Sequence, residues 1–167
     1  MPSSNLVLYD DDLGEIQANL ENLAAESNAK FVFLIDKNGQ QLAFVGATDG
    51  LDSTSLASLA ASNEAATEGL AQIIGEPFFT SLFHEGNRDN LHITVVGGRA
   101  ILVLAFDEHS SLGLVRLRVT QASDTLVKTM ENIQKRSEER KAREDVSQSP
   151  FAEITDDRLK QGLTAIR

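Results

Sequence analysis

The sequence predicts an α+β fold: a single five-stranded antiparallel sheet with helices on its faces, in the order α-β-β-α-β-β-β-α. Three observations carry this. Asn38-Gly39 stands between two apolar blocks, a strong hairpin signal because both residues tolerate positive φ. Three more strand-like blocks follow one another farther along, with glycine-containing turns between them. Three other segments place apolar residues at spacings of three and four, as an amphipathic helix does. With 167 residues, 41% of them hydrophobic, the chain has material for one compact domain with a genuine core and an appendage.

The first helical segment opens on Asp10-Asp11-Asp12 and lines up Leu13, Ile16, Leu20, Leu23 and Ala24. Carboxylates in a first turn suit the positive end of the helix dipole. Consecutive helical residues point in different directions, so this cluster is a poor metal cage. The block Phe31 to Ile35 should be a central strand, with Leu42 to Val45 its hairpin partner. A long helix is expected from Asp52 to Ile74, capped by Asp52 or Ser53 and ended by Gly75 and Pro77. Its core stripe reads Leu56, Leu59, Ala60, Asn63, Ala66, Leu70, Ile73 and Ile74. Strands are expected at Phe79 to Glu85, Asn90 to Val96 and Ala100 to Phe106, forming a meander turned at Gly86-Asn87-Arg88-Asp89 and at Gly97-Gly98. A last helix starts near Ser110 or Ser111 and carries Leu112, Val115, Val119, Ala122, Leu126, Met130 and Ile133 on one face. Leu114 and Leu117 lie on its other faces, so that end is expected to be buried all round.

Composition narrows the function. There is no cysteine, which excludes disulfides, thiolate metal sites and cysteine nucleophiles and agrees with a reducing cytoplasm. Residues 1–9 lack the basic segment and apolar run of a signal peptide, and no stretch approaches the length of a membrane span, so a cytoplasmic chain without membrane insertion is expected. A net charge of -10 repels a phosphate backbone. The eight Phe and one Tyr are not interleaved with Arg or Lys as a base-stacking platform requires, so nucleic acid is not an expected partner.

Catalytic chemistry is missing from the pattern. His84, His92 and His109 show no metal-ligand spacing, no Gly-rich loop closes with Gly-Lys-Ser or Gly-Lys-Thr, and Ser110-Ser111 lack the glycines of a nucleophile elbow. No catalytic residue, cofactor or metal is expected. The chain should not be an enzyme in its own right.

The second helix is unusual on the side opposite its expected core stripe. There it carries Ala57, Ser58, Ala61, Ser62, Ala65 and Gly69, where a solvated helix normally has Lys, Arg and Glu. Ser58, Ser62, Ala65 and Gly69 follow at spacings of four, three and four and form one ridge of small residues. Glycine within a helix costs roughly 1 kcal/mol relative to alanine, so Gly69 asks for a gain elsewhere. Such a ridge serves either as plain solvated surface or as a contact on which another backbone closes. Glu64 and Glu68 flank it.

Beyond Ile133 the composition changes. Lys135 to Asp145 holds nine charged residues of both signs, a frayed helix end or a solvated linker. Apolar residues return from Phe151 to Ile166, too few for a separate core and suited to docking. This divides the chain into a domain over 1–134, a charged linker over 135–148 and a docking tail over 149–167.

Five segments carry a family resemblance: Phe33-Leu34-Ile35-Asp36-Lys37-Asn38-Gly39-Gln40, Thr54-Ser55-Leu56-Ala57-Ser58-Leu59, Phe83-His84-Glu85-Gly86, Ser111-Leu112-Gly113-Leu114-Val115-Arg116-Leu117-Arg118 and Ser149-Pro150-Phe151-Ala152-Glu153-Ile154. In these segments and in element order the chain resembles the Roadblock/dynein light chain family, in particular its bacterial regulators of Ras-like GTPases. The resemblance spans nearly the whole chain except the charged linker, which is longer here. It implies a cytoplasmic homodimer, with a cell pole as one place of action, whose sheets join edge to edge and whose second helices lie side by side as a platform for a small Ras-like GTPase. It places Ala61, Ala65 and Gly69 on the platform and brings Phe151, Ile154 and Leu159 of the tail to another surface of the GTPase. It implies stimulation of GTP hydrolysis in polarity or motility control, with a scaffold that binds without stimulating as the alternative. Arg116 and Arg118 sit beside the apolar stripe of the last helix, where pairing with local acids is expected rather than an arginine finger. A third class, a small-molecule sensor, would need a closed apolar pocket with a few convergent polar groups, which is not expected.

Overall fold

The computed structural model describes residues 8–47 and 49–148. These form α1 (Asp10–Ser27), β1 (Phe31–Asp36), β2 (Gln41–Gly46), α2 (Ser53–Ile74), β3 (Leu82–His84), β4 (Asn90–Val96), β5 (Ala100–Phe106) and α3 (Leu112–Ser147). The strands make one antiparallel five-stranded sheet in the order β2-β1-β5-β4-β3. β5 is its middle strand and is buried along its whole length. β1, read as central, is interior one place from the middle, flanked by β2 and β5.

The local signals translate directly into geometry. In the β1–β2 turn the Asp36 carboxylate accepts the backbone N–H groups of Asn38 and Gln40, each at 2.9 Å, and Gly39 takes φ 85°. Asp52 caps α2, accepting the Ser55 backbone N–H at 3.0 Å and the Ser55 hydroxyl at 2.6 Å. Gly75 ends that helix at φ 79°. Ser111 caps α3 by accepting the Leu114 N–H at 3.2 Å. At the start of α1, Asp12 reaches back to accept the Tyr9 N–H at 3.1 Å, the work expected of an acid in a first turn.

One side of the sheet is the floor for α2. Phe33, Ile35, Ile93, Ile101 and Val103 fill that layer, and Ala57 and Ala60 of the helix close onto it. The alternate strand residues Val32, Leu34, Leu102 and Leu104 face the other way and are equally buried. α1 contributes Ile16, Leu20 and Leu23 to the core and α3 contributes Val115, Val119 and Leu126. The two helices are also tied directly, Asn19 Nδ2 donating to Thr129 Oγ1 at 3.2 Å.

Three expectations are corrected. The α2 face that packs inward is the small one: Ala57, Ala60, Thr67 and Ala71 are buried, whereas Leu59, Ala66, Leu70, Ile73 and Ile74 of the expected core stripe are exposed. The large sheet residues beneath already fill the layer, so small side chains let the helix approach closely. β3 covers Leu82–His84 rather than Phe79 to Glu85, and before it the Thr80 carbonyl accepts the Thr94 hydroxyl at 2.6 Å. Leu117 in the first turns of α3 is 53% exposed, so that end is not buried all round.

The unit just described runs from Leu8 to Met130. From Glu131 the α3 helix continues to Ser147, so the charged stretch over residues 135–147 is helical. There Gln134 Nε2 donates to Glu138 Oε1 one turn on, at 3.1 Å. The expected docking tail over 149–167 lies outside the described residues.

Candidate functional site

A helix that buries alanines on its own sheet leaves its large apolar residues for something else. On α2 Leu59 is 68% exposed, Leu70 58% and Ile73 81%, and Phe78 just beyond the helix is 66% exposed. Exposed apolar residues scattered singly need no explanation, but Leu59, Leu70 and Ile73 recur on one side of one helix and make a candidate interaction surface. Beside that run lies the small-residue ridge. Ser58, Ser62 and Ala65 are exposed, and Gly69 is half-buried with nothing outside its own stretch of helix backbone within 4 Å of where a Cβ would stand. Ala61 is half-buried and packs against the core layer. Of the residues expected on the platform, Ala65 and Gly69 therefore border open space, while Ala61 sits at the helix flank. Phe151, Ile154 and Leu159 lie outside the described residues.

The ridge is also free of basic charge. α2 carries no Arg or Lys, and its Glu64 is partly buried, with burial raising its carboxyl above the usual range against the opposing pull of Lys37. Adjacent to α2, β3 is the terminal strand of the sheet, and one of its edges has no neighbour among the described residues. Asn63 of α2 holds this strand through His84, Nδ2 to Nε2 at 3.3 Å. The edge of β3 and the exposed apolar side of α2 are thus both without a partner among the described residues.

A half-open cleft of about 750 Å³ is lined by residues of α2, of the segment before β3 and of α3. Its walls include Glu64 and Glu68 of α2, Phe79 and Ser81 before β3, and Arg116 of α3, with His92 in the floor. His92 is 3% exposed, and its Nδ1 has no hydrogen-bond partner among the described residues. Burial lowers its pKa below the ordinary imidazole value, and the neighbouring Arg116 guanidinium lowers it further. The cleft is open and lined by charge of both signs, unlike the closed apolar pocket a small-molecule sensor needs.

The two arginines in the first turns of α3 part company here. Arg118 pairs with Glu26 of α1 at 3.6 Å and donates to Gln121 at 3.2 Å, as pairing with local acids requires. Arg116 is exposed and makes no ion pair among the described residues. The sequence hid its meeting with His92: one residue alternates with Leu91 and Ile93 along a strand, the other interrupts an apolar helix face. His109 is exposed and takes its proton partner from Asp107, 2.9 Å away, which raises its pKa. Among the described residues no group of His, Asp and Glu is arranged to hold a metal ion, and no helix is long and apolar enough to cross a membrane.

Comparison with known proteins gives this surface a setting. Residues 15–106 match the Roadblock/LC7 domain model. The fold superposes on Myxococcus xanthus MglB with a TM-score of 0.72 and 50% sequence identity, covering 76% of this chain and 96% of that one. It superposes on the gliding protein MglB of Thermus thermophilus at 0.71 and 37% identity, covering 77% and 97%. A third solved structure, described as MglB with tetrameric arrangement, gives 0.72 and 36% identity over 77% and 97%. No curated protein is similar enough to count as a match. On the family match and on these identities over three quarters of its length, the chain belongs to the Roadblock/LC7 family, among the bacterial MglB proteins.

Proposed function

We propose that this protein is a homodimeric regulator of a small Ras-like GTPase of the MglA kind and that it stimulates GTP hydrolysis by that partner in polarity or motility control. The observation that carries the reading is the division of α2 into two outward surfaces. The exposed apolar run of Leu59, Leu70 and Ile73 suits a second copy of the chain. The ridge of Ser58, Ser62, Ala65 and Gly69 admits the close approach of a GTPase backbone. Side-by-side α2 helices, with sheets joined at their β3 edges, would present two such ridges as one platform. The 50% identity with Myxococcus xanthus MglB and the tetrameric arrangement of a 36% identical relative support self-association.

The same helix limits the mechanism. GTP hydrolysis needs a positioned water and positive charge near the transferred phosphoryl group. α2 has no Arg or Lys to insert. The regulator therefore acts by holding the switch regions of the GTPase in the arrangement that brings the partner's own Arg and Gln into its site, a shift of the partner's population. The protein itself performs no catalytic step.

That absence of a cation on the platform also favours a second reading, a scaffold that binds the GTPase without stimulating it. A single-turnover assay with the MglA-like GTPase of the same genome separates the two. Faster GTP loss with the regulator present supports the first reading. Unchanged loss together with nucleotide-dependent copurification supports the second, and no copurification in either nucleotide state overturns both.

A further inference from the structure

The two edges of the sheet are not alike. β3 (Leu82–His84) pairs with β4 without a register shift, and its outer edge has no neighbour among the described residues. β2 (Gln41–Gly46) is the other terminal strand, and both of its ends are irregular. At one end the ladder with β1 slips between Leu34 and Ile35, so that Leu42 has no residue opposite it. At the other, Gly46 takes φ 123°, which no regular strand residue adopts. Only Ala43, Phe44 and Val45 remain as regular edge, with Phe44 in the middle.

Phe44 stands opposite Phe33, and their rings meet edge-on at 5.4 Å, as the closely spaced side chains of a non-hydrogen-bonded pair do. The N–H and C=O of such a residue point away from the neighbouring strand, out of the sheet edge. There Gln17 of α1 takes the Phe44 carbonyl: its Nε2 donates to that oxygen at 3.1 Å and also reaches Glu21 Oε1, one turn on, at 3.4 Å. Asn19, on the opposite flank of α1, turns to Thr129 of α3. α1 thus has one flank on α3 and the other over the β2 edge.

An incoming strand needs both backbone groups of Phe44, the N–H as donor and the C=O as acceptor. With the carbonyl held, and a glutamine side chain standing where the new backbone would lie, β2 offers no regular pair to join. We propose that Gln17 closes the β2 edge to strand addition, so that sheets of this chain join through β3 alone and assembly stops at a closed pair. A sheet open at both edges adds copies head to tail without end, whereas one open at a single edge closes about a two-fold axis. The closure of β2 stands on the Gln17 contact by itself. The closed pair rests on the β3-joined dimer of the proposed function, and the test separates the two.

The test compares the full chain with its Gln17→Ala variant by sedimentation equilibrium and by amide hydrogen exchange. Gln17 is half-buried on a helix and alanine is the best helix former, so circular dichroism should be unchanged. The mass of the variant should climb past about twice that of the starting protein as concentration rises, because each pair then has two open β2 edges. Over the same range exchange at the Phe44 amide should slow by about tenfold or more, since a strand added at β2 protects that N–H. Mass and exchange both unchanged from the starting protein overturn the closure by Gln17. Larger species whose Phe44 amide exchanges as before overturn it as well, because the new contact then lies elsewhere. A monomeric starting protein overturns the β3-joined dimer, and growth of Gln17→Ala with a protected Phe44 amide then still upholds the closed β2 edge.

Discussion

At His92 an ionisable ring is held 3% exposed with one nitrogen unpaired and a guanidinium nearby. Both burial and Arg116 disfavour the imidazolium, so the folded pKa lies below the unfolded value near 6.5. Below that pH the unfolded chain binds a proton that the native state refuses, and stability is lost as pH falls. His109 acts in the opposite sense, since Asp107 raises its pKa, but it is fully solvated and weakens the trend little. The urea midpoint should therefore drop between pH 7 and pH 5.5, and His92→Phe should flatten that slope; an equally steep slope in the variant would clear the imidazole of responsibility. Gly69 is a second residue whose cost can be read directly. It lies inside α2 with open space where a Cβ would stand, so Gly69→Ala should stabilise the fold by about 0.5–1 kcal/mol. If glycine is there for close approach of a partner, the same variant should bind the GTPase more weakly. Calorimetric unfolding and titration of one variant check both halves, and a gain in stability with unchanged binding would assign Gly69 no part in the platform.

At the scale of the element, α2 carries the proposed platform and is also where sequence reasoning failed most instructively. Replacing Ala65 and Gly69 with arginine should abolish GTPase binding while leaving circular dichroism unchanged, because Ala65 is exposed and Gly69 opens onto empty space. Retained binding with an intact spectrum would move the platform off this ridge. Element order, the Asn38-Gly39 turn, the Asp52 cap and the Gly75 stop were all legible, since each rests on short-range backbone chemistry that tertiary context leaves alone. So was the full extent of β4 and β5, whose apolar runs end at glycine or charge. The direction of α2 was not legible: both its faces are apolar or small, and hydrophobicity cannot distinguish a residue buried by its own sheet from one awaiting a partner. Leu56 and Ala60 of the expected stripe do pack inward, yet Leu59, Leu70, Ile73 and Ile74 do not, and Ala57, Thr67 and Ala71 take the remaining inward places because Phe33, Ile35 and Ile101 already fill the layer. The shortening of β3 was equally hidden, for nothing in Phe79 to Ser81 announces that Thr94 will take the Thr80 carbonyl. The cleft at Arg116 and His92 joins a strand residue and a helix residue more than twenty positions apart, a separation no local pattern spans.

At the scale of the whole molecule, a regulator of the proposed kind has to distinguish nucleotide states of its partner, and a single rigid platform would give it one point of contact with which to do so. The docking tail expected from the sequence would offer a second. Phe151 and Ile154, with Leu159, Leu163 and Ile166 at helical spacing after them, follow a charged stretch that gives them nothing apolar to pack on. Two linked contacts on one partner raise the effective concentration of the second once the first has formed, so even a weak tail contact alters overall affinity. It alters nucleotide preference only if the tail binds one state of the GTPase better than the other, because a ligand with equal affinity for both shifts nothing. Truncation before Ser149 removes this second contact while leaving β3, α2 and the cleft residues in place. The truncated protein should therefore remain dimeric by light scattering and still bind through the platform. Its affinity for the GTPase should fall, or the ratio of affinities for the GTP-bound and GDP-bound forms should change. Isothermal titration of full-length and truncated protein against both nucleotide forms reads all four constants. Parallel losses in the two states would make the tail a plain tether, unequal losses would make it a sensor of nucleotide state, and four unchanged constants would remove it from the complex altogether.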